Sequence, residues 1–168
     1  TQLKGATMLS QNFKIVPCGI DVDLNVTAIP SADTINMKNF HKCTFLVQYV
    51  DLGTANHTVF CYSGAADGEL TTAIPFWYAF GGAAQGSANC DVLTTLTACE
   101  ATGLIVAHGT YDNYLMVIEV DAAAMQQGYE WLTLTFADNI GGGGATGQTI
   151  EIAVLEPRYK PFAGSALT

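Results

Sequence analysis

The strongest constraint on this chain is a repeated two-residue alternation broken by turn residues. Eight short runs rich in β-branched and aromatic residues recur at intervals of roughly 10–20 residues, most of them bordered by Gly, Pro, Asn, Asp or Ser. They are Phe13–Val16, His41–Val50, Thr58–Tyr62, Pro75–Phe80, Val92–Thr97, Tyr114–Val120, Glu130–Phe136 and Thr149–Leu155. Successive side chains on a strand point to opposite faces, so each run divides into two faces. In His41–Val50, Cys43, Phe45, Val47 and Tyr49 share one face, and Thr44, Leu46, Gln48 and Val50 share the other. Both faces are largely apolar, which predicts a central strand. Gly53-Thr54-Ala55-Asn56 then predicts a hairpin into Thr58–Tyr62. In the last run Ile150, Ile152 and Val154 oppose Glu151. This pattern predicts an inward face holding Phe45, Val47, Met116, Ile118, Leu132, Leu134, Ile152 and Val154.

Helix signals are nearly absent. The exception is Asp121–Gly128, where Asp121 can cap the free N–H groups and Gly128 can end one or two turns in a left-handed conformation. The chain therefore reads as all-β, an antiparallel β-sandwich of jelly-roll or immunoglobulin-like type. Residues 13–160 form the sandwich domain, 1–12 an N-terminal arm and 161–168 a C-terminal tail.

Composition narrows the partners. Hydrophobic residues make up 49% of the 168 residues and charged residues 12%, about half the charged share of an ordinary soluble domain. That excludes a disordered chain and predicts a surface covered in part by another molecule. The net charge of -9 disfavours nucleic acid, whose phosphates need Lys and Arg, and anionic membrane for the same reason. No apolar run reaches the roughly 18 residues of a membrane span, and the first residues lack the basic flank and apolar stretch of a signal peptide.

Candidates for chemistry are few. Cys18, Cys43, Cys61, Cys90 and Cys99 contain no Cys-x-x-Cys pair, so a zinc ribbon or a thioredoxin-like motif is excluded. Buried reduced thiols are the favoured reading, and a Cys90–Cys99 bridge across a hairpin is the alternative. His41, His57 and His108 lie in different elements, and two of them flank strand starts, where a half-exposed imidazole is common. Asp21 and Asp23 share a strand face but lack the density of a calcium loop. The glycine-rich stretches at Gly64–Gly68, Gly81–Gly86 and Gly141–Gly147 have no phosphate-loop context and read as surface loops. No Gly-x-Ser-x-Gly elbow is present. Asn25-Val26-Thr27 and Asn56-His57-Thr58 match the glycosylation pattern, which matters only in a eukaryotic secreted protein. No catalytic, metal or cofactor residue is expected. Phe76, Trp77 and Tyr78 form an aromatic platform that suits an interface or a sugar. Arg158, the only arginine, is expected to pair internally with an acid such as Glu156, and with Tyr159 it forms a second candidate anchor.

Four segments together resemble small virion proteins of tailed bacteriophages. They are Asn36-Met37-Lys38-Asn39-Phe40-His41-Lys42-Cys43-Thr44-Phe45-Leu46-Val47-Gln48, then Ala73-Ile74-Pro75-Phe76-Trp77-Tyr78, then Tyr114–Ala122 continuing through Gly128 to Phe136, and lastly Ala153-Val154-Leu155-Glu156-Pro157-Arg158-Tyr159. Their order and spacing cover most of residues 34–160; the cysteines and the glycine run lie outside the pattern. The resemblance implies a decoration (cement) protein on the outside of the capsid, with no catalytic residues. Its implied partners are the major capsid protein and its own copies, as a homotrimer, and its place is the virion surface after synthesis in the host cytoplasm. A tail or other virion component, or a carbohydrate-binding β-sandwich, are the alternatives.

Overall fold

A computed structural model describes residues 9–24, 31–53, 55–138, 147–159 and 164–167, without the side chains of 20–23 and 138. One helical turn, α1 (Leu9–Asn12), precedes eleven strands: β1 (Lys14–Asp23), β2 (Ile35–Asn36), β3 (Phe40–Asp51), β4 (His57–Gly64), β5 (Thr72–Ile74), β6 (Phe76–Phe80), β7 (Thr97–Cys99), β8 (Leu104–Val106), β9 (Leu115–Asp121), β10 (Trp131–Asp138) and β11 (Gln148–Pro157). They form two antiparallel sheets, a six-stranded one in the order β1-β11-β3-β9-β6-β7 and a five-stranded one in the order β2-β10-β4-β5, with β8 also on β4.

The pairing is nested. β1 pairs with β11, β2 with β10, β3 with β9 and β4 with β5. The chain is thus one long hairpin wound into two sheets, the double Greek key of a jelly roll. Of the two sandwich types expected, this topology is the jelly roll. β6 and β7 widen the first sheet beyond β9, and β8 occupies the half of the β4 edge that β5 leaves open.

The core lies between the sheets. Phe45, Val47, Met116, Ile118, Leu132 and Leu134 are fully buried there, as the alternation predicts. Tyr49 reaches across from β3, and its hydroxyl shares a 2.9 Å hydrogen bond with Nε2 of His57 on β4.

Several sequence expectations are corrected. Gly53–Asn56 does not make a hairpin, because β3 and β4 belong to different sheets and the turn carries the chain across the core. That crossing buries His57, which is therefore not a half-exposed surface imidazole. Val92–Leu96 is not a strand; of this run only Thr97 joins one, as the first residue of β7. The apolar residues Val92, Leu93 and Leu96 are exposed, and the segment is tied to the end of β6 by a Gly81–Leu93 bridge, a bond from Gly82 N–H to the Val92 carbonyl and bonds between Thr94 and Phe80. The expected helix shrinks to a 3-10 turn, Ala122–Ala124, with the Asp121 carboxylate accepting from Ala123 N–H at 2.8 Å. Gly128 does take a left-handed φ of 86°.

Two glycines read as surface-loop residues are structural. A Cβ on Gly81 would sit 2.6 Å from the Cys90 carbonyl oxygen, and one on Gly147 would sit 2.0 Å from that of Asp51. The rest of the last glycine run, 141–146, lies outside the described residues. So do the Asn25 sequon and the side chains of Asp21 and Asp23. At the C-terminal end Ala166 is buried, and its carbonyl accepts from Asn36 N–H at 2.7 Å.

A candidate interaction surface on the six-stranded sheet

The principal correction concerns β11. Thr149, Glu151, Ala153 and Leu155 face the core and are fully buried, while Ile150 and Ile152 are 39% and 36% exposed and Val154 is half-buried. The faces are the reverse of those expected. Leu155 fixes the register opposite inward-facing Cys43, and small Ala153 lies opposite the fully buried Phe45. Alternation identifies two faces but not the one that the protein's own second sheet covers.

The reversal gives the six-stranded sheet an apolar outer face. One row crosses five strands as Pro17, Ile152, Leu46, Val117 and Ala79. Neighbouring strands lie about 4.8 Å apart, so this row is about 19 Å long. Beside it runs a second row, Ile15, Val154, Thr44, Glu119 and Trp77. Val117 and Ala79 form a buried floor, while Ile15 is 42% and Trp77 51% exposed.

One end of this face is acidic. Glu156, Lys42 and Asp121 are register partners across β11, β3 and β9. Lys42 Nζ contacts Glu119 Oε2 at 2.8 Å, and this hydrogen bond raises the lysine pKa. Next to the pair, a cleft of about 180 Å³ is lined by Trp77, Cys99, Glu100, Glu119, Asp121 and Ala124. A second depression of about 170 Å³, lined by Met37, Lys38, Ala122, Met125, Tyr129 and Arg158 among others, also borders the 3-10 turn.

The anticipated anchors divide by orientation. Phe76 is buried, and half-buried Tyr78 packs edge-on against Phe80 with ring centroids 5.9 Å apart. Phe80 in turn stacks on Tyr111 at 3.8 Å. Trp77 is the exposed member of the aromatic run and lines the cleft beside buried Phe76. Arg158 is exposed and held at the start of the neighbouring β3: Nε donates to the Phe40 carbonyl at 3.0 Å and its backbone N–H to the Asn39 carbonyl at 2.8 Å. The expected pairing with Glu156 is not formed; among the described residues the ion pairs are Lys38–Glu130 and Lys42–Glu119. Tyr159 follows with 79% of its surface exposed. Sequence reasoning missed Leu46, Ile150 and Ile152 as surface residues. The low charge content was the signal for a covered surface, without an address.

Polar groups inside the sandwich are few and constrained. Both carboxylate oxygens of Glu151, and the hydroxyl of adjacent Thr149, lack a hydrogen-bond partner. Burial pushes the Glu151 carboxyl up to about 7, with the Thr149 hydroxyl and the Glu151 amide opposing the shift from outside bonding geometry. Burial also pushes the Cys18 thiol up to about 12, with Glu151 adding to the rise, and lifts Cys43 and Cys61. Thiols in this state are protonated and poor nucleophiles. All five cysteines are free, so Cys90 and Cys99 do not pair. Burial lowers the His57 pKa to about 4. Among the described residues no three His, Cys, Asp or Glu side chains are placed to hold a metal ion, and no helix is long and apolar enough to cross a membrane. No protein-family model matches the chain, and no curated protein matches it either.

Proposed function

We propose that the chain is a structural virion protein, a decoration (cement) protein that binds the outside of a tailed-phage capsid and stabilises the shell. It acts by association, without turnover, metal or cofactor. The observation that carries this reading is the apolar outer face of the six-stranded sheet, where Ile15, Ile150, Ile152 and Trp77 stand exposed around Leu46 and Val117. An unpaired patch of this kind marks a contact surface. The segments that resemble virion proteins supply Leu46 from β3, Trp77 from β6, Val117 from β9 and Val154 from β11 to that face. Jelly rolls recur in viral capsid and lectin domains, which adds support at the level of fold alone. The major capsid protein is the partner, and a homotrimer would engage several shell subunits at once, multiplying weak contacts by avidity.

The test is electron microscopy of particles of the phage that encodes the chain, with protein quantification on the same sample. A decoration protein repeats with the icosahedral shell and stays bound in chelator. Density confined to the tail, or loss of the protein on chelation, would overturn the reading.

A further inference from the structure

The acidic end of the outer face makes its occupant more specific. We infer that the face receives a partner protein whose contact patch has an apolar centre and a Lys or Arg side chain that enters the Trp77 cleft. This rests on the association reading above and assigns the chemistry of the partner. The cleft combines an exposed indole with three carboxylates, Glu100, Glu119 and Asp121. Glu119 is already bonded to Lys42, and Asp121 Oδ1 accepts from Ala123 N–H, which leaves Glu100 and the second carboxylate oxygen of Asp121 for an incoming cation. An aromatic face attracts such a cation through its quadrupole, and the aliphatic stem of a lysine packs on the apolar walls of Trp77 and Ala124.

A second copy of the chain is the wrong occupant on charge. It brings a net charge of -9 with only six basic residues in the whole sequence. Of those described, Lys38 and Lys42 are ion-paired, Arg158 is held on the Phe40 carbonyl, and Lys14 shares the inward side of β1 with Val16. On this charge balance a partner protein, rather than a second copy, supplies the cation, and any contacts between copies use other surfaces.

The test uses the full chain and two short capped peptides, one alternating Val and Lys, the other alternating Val and Glu, by isothermal titration calorimetry at low salt. The Val/Lys peptide binds; the Val/Glu peptide binds at least about tenfold more weakly. Trp77→Ala weakens the Val/Lys complex about tenfold. Glu100→Gln weakens it more than Asp67→Asn, which removes one charge from an exposed loop elsewhere. Thermal unfolding of each variant confirms the fold. The inference is overturned by equal binding of both peptides, by no binding of either, by an unaltered Trp77→Ala complex, or by equal effects of the two charge removals. It is also overturned if the wild type is an oligomer that Ile152→Asp dissociates, since the face then belongs to a second copy. None of these outcomes depends on a particle, so they are separable from the failure of the capsid role itself.

Discussion

Glu151 and His57 are buried with opposite consequences for stability. The folded state raises the Glu151 pKa from 4.5 to about 7. Its stabilising contribution is complete below pH 4.5 and is lost as pH rises through about 7. His57 is shifted down from 6.5 to about 4, so its contribution is complete above pH 6.5 and lost as pH falls through about 4. Between pH 4.5 and 6.5 the two slopes oppose each other. Urea unfolding across this window should show little net dependence from this pair in the wild type. In Glu151→Gln the His57 slope stands alone, and stability should rise by up to about 3 kcal/mol from the acid to the neutral end. A variant profile parallel to the wild type would show that Glu151 titrates normally. A second residue-scale expectation concerns Gly103. It has a φ of +85°, and an added Cβ would meet the Phe60 ring at 2.5 Å. Gly103→Ala should cost about 1–3 kcal/mol by the combined strain and overlap, read as a lowered urea midpoint. An unchanged midpoint would mean that the 100–104 turn and Phe60 relax freely.

At the scale of elements, β11 is the informative strand. Leu155→Ala, on the core side, should cost about 2–5 kcal/mol through the cavity it leaves. Ile152→Ala, on the outer side, should cost less than about 1 kcal/mol. The reverse order in equilibrium unfolding would restore the faces expected from alternation. The longer strands were legible because β-branched runs and turn residues mark them locally, as at His41–Val50 and Glu130–Phe136, whereas the two- and three-residue strands β2, β5 and β8 are too short to show an alternation. The inward face of β3 was also legible, since it carries the aromatic rings of Phe45 and Tyr49 with Val47 between them, whereas the opposite face includes the polar Thr44 and Gln48. β11 was not, because Ile150 and Ile152 look more core-like than Thr149, Glu151 and Ala153. Which side is covered depends on β1 and β3, its neighbours, and on a second sheet that no local pattern encodes. The same limit explains the missed sheet crossing at Gly53–Asn56. A short turn between two apolar runs looks alike whether the next strand pairs with the last or passes over the core. Trp77 was legible as an anchor by residue type. Its separation from Phe76 and Tyr78 follows from alternation, but its acidic cleft requires β9 and the 98–100 segment to be folded beside it.

At the scale of the molecule, the nested pairing of β1 with β11 and β3 with β9 closes the sandwich around one core, and among the described residues no element covers the outer face of the larger sheet. Low charge and a net -9 balance then have a spatial meaning. Part of the exposed apolar surface, Ile15, Ile150, Ile152 and Trp77, lies in rows on this one face, and carboxylates gather at one end of it. Association through this face is tested with particles stripped of the chain and re-incubated with purified protein. Ile152→Asp changes the face, whereas Ile105→Asp places the same charge on β8 of the other sheet, at a position 62% exposed. Occupancy of the icosahedral shell, measured by electron microscopy, is expected to be full for the wild type and for Ile105→Asp and to be lost for Ile152→Asp. A shell that stays bare with the wild type, or that Ile152→Asp fills as completely as Ile105→Asp, would contradict the account.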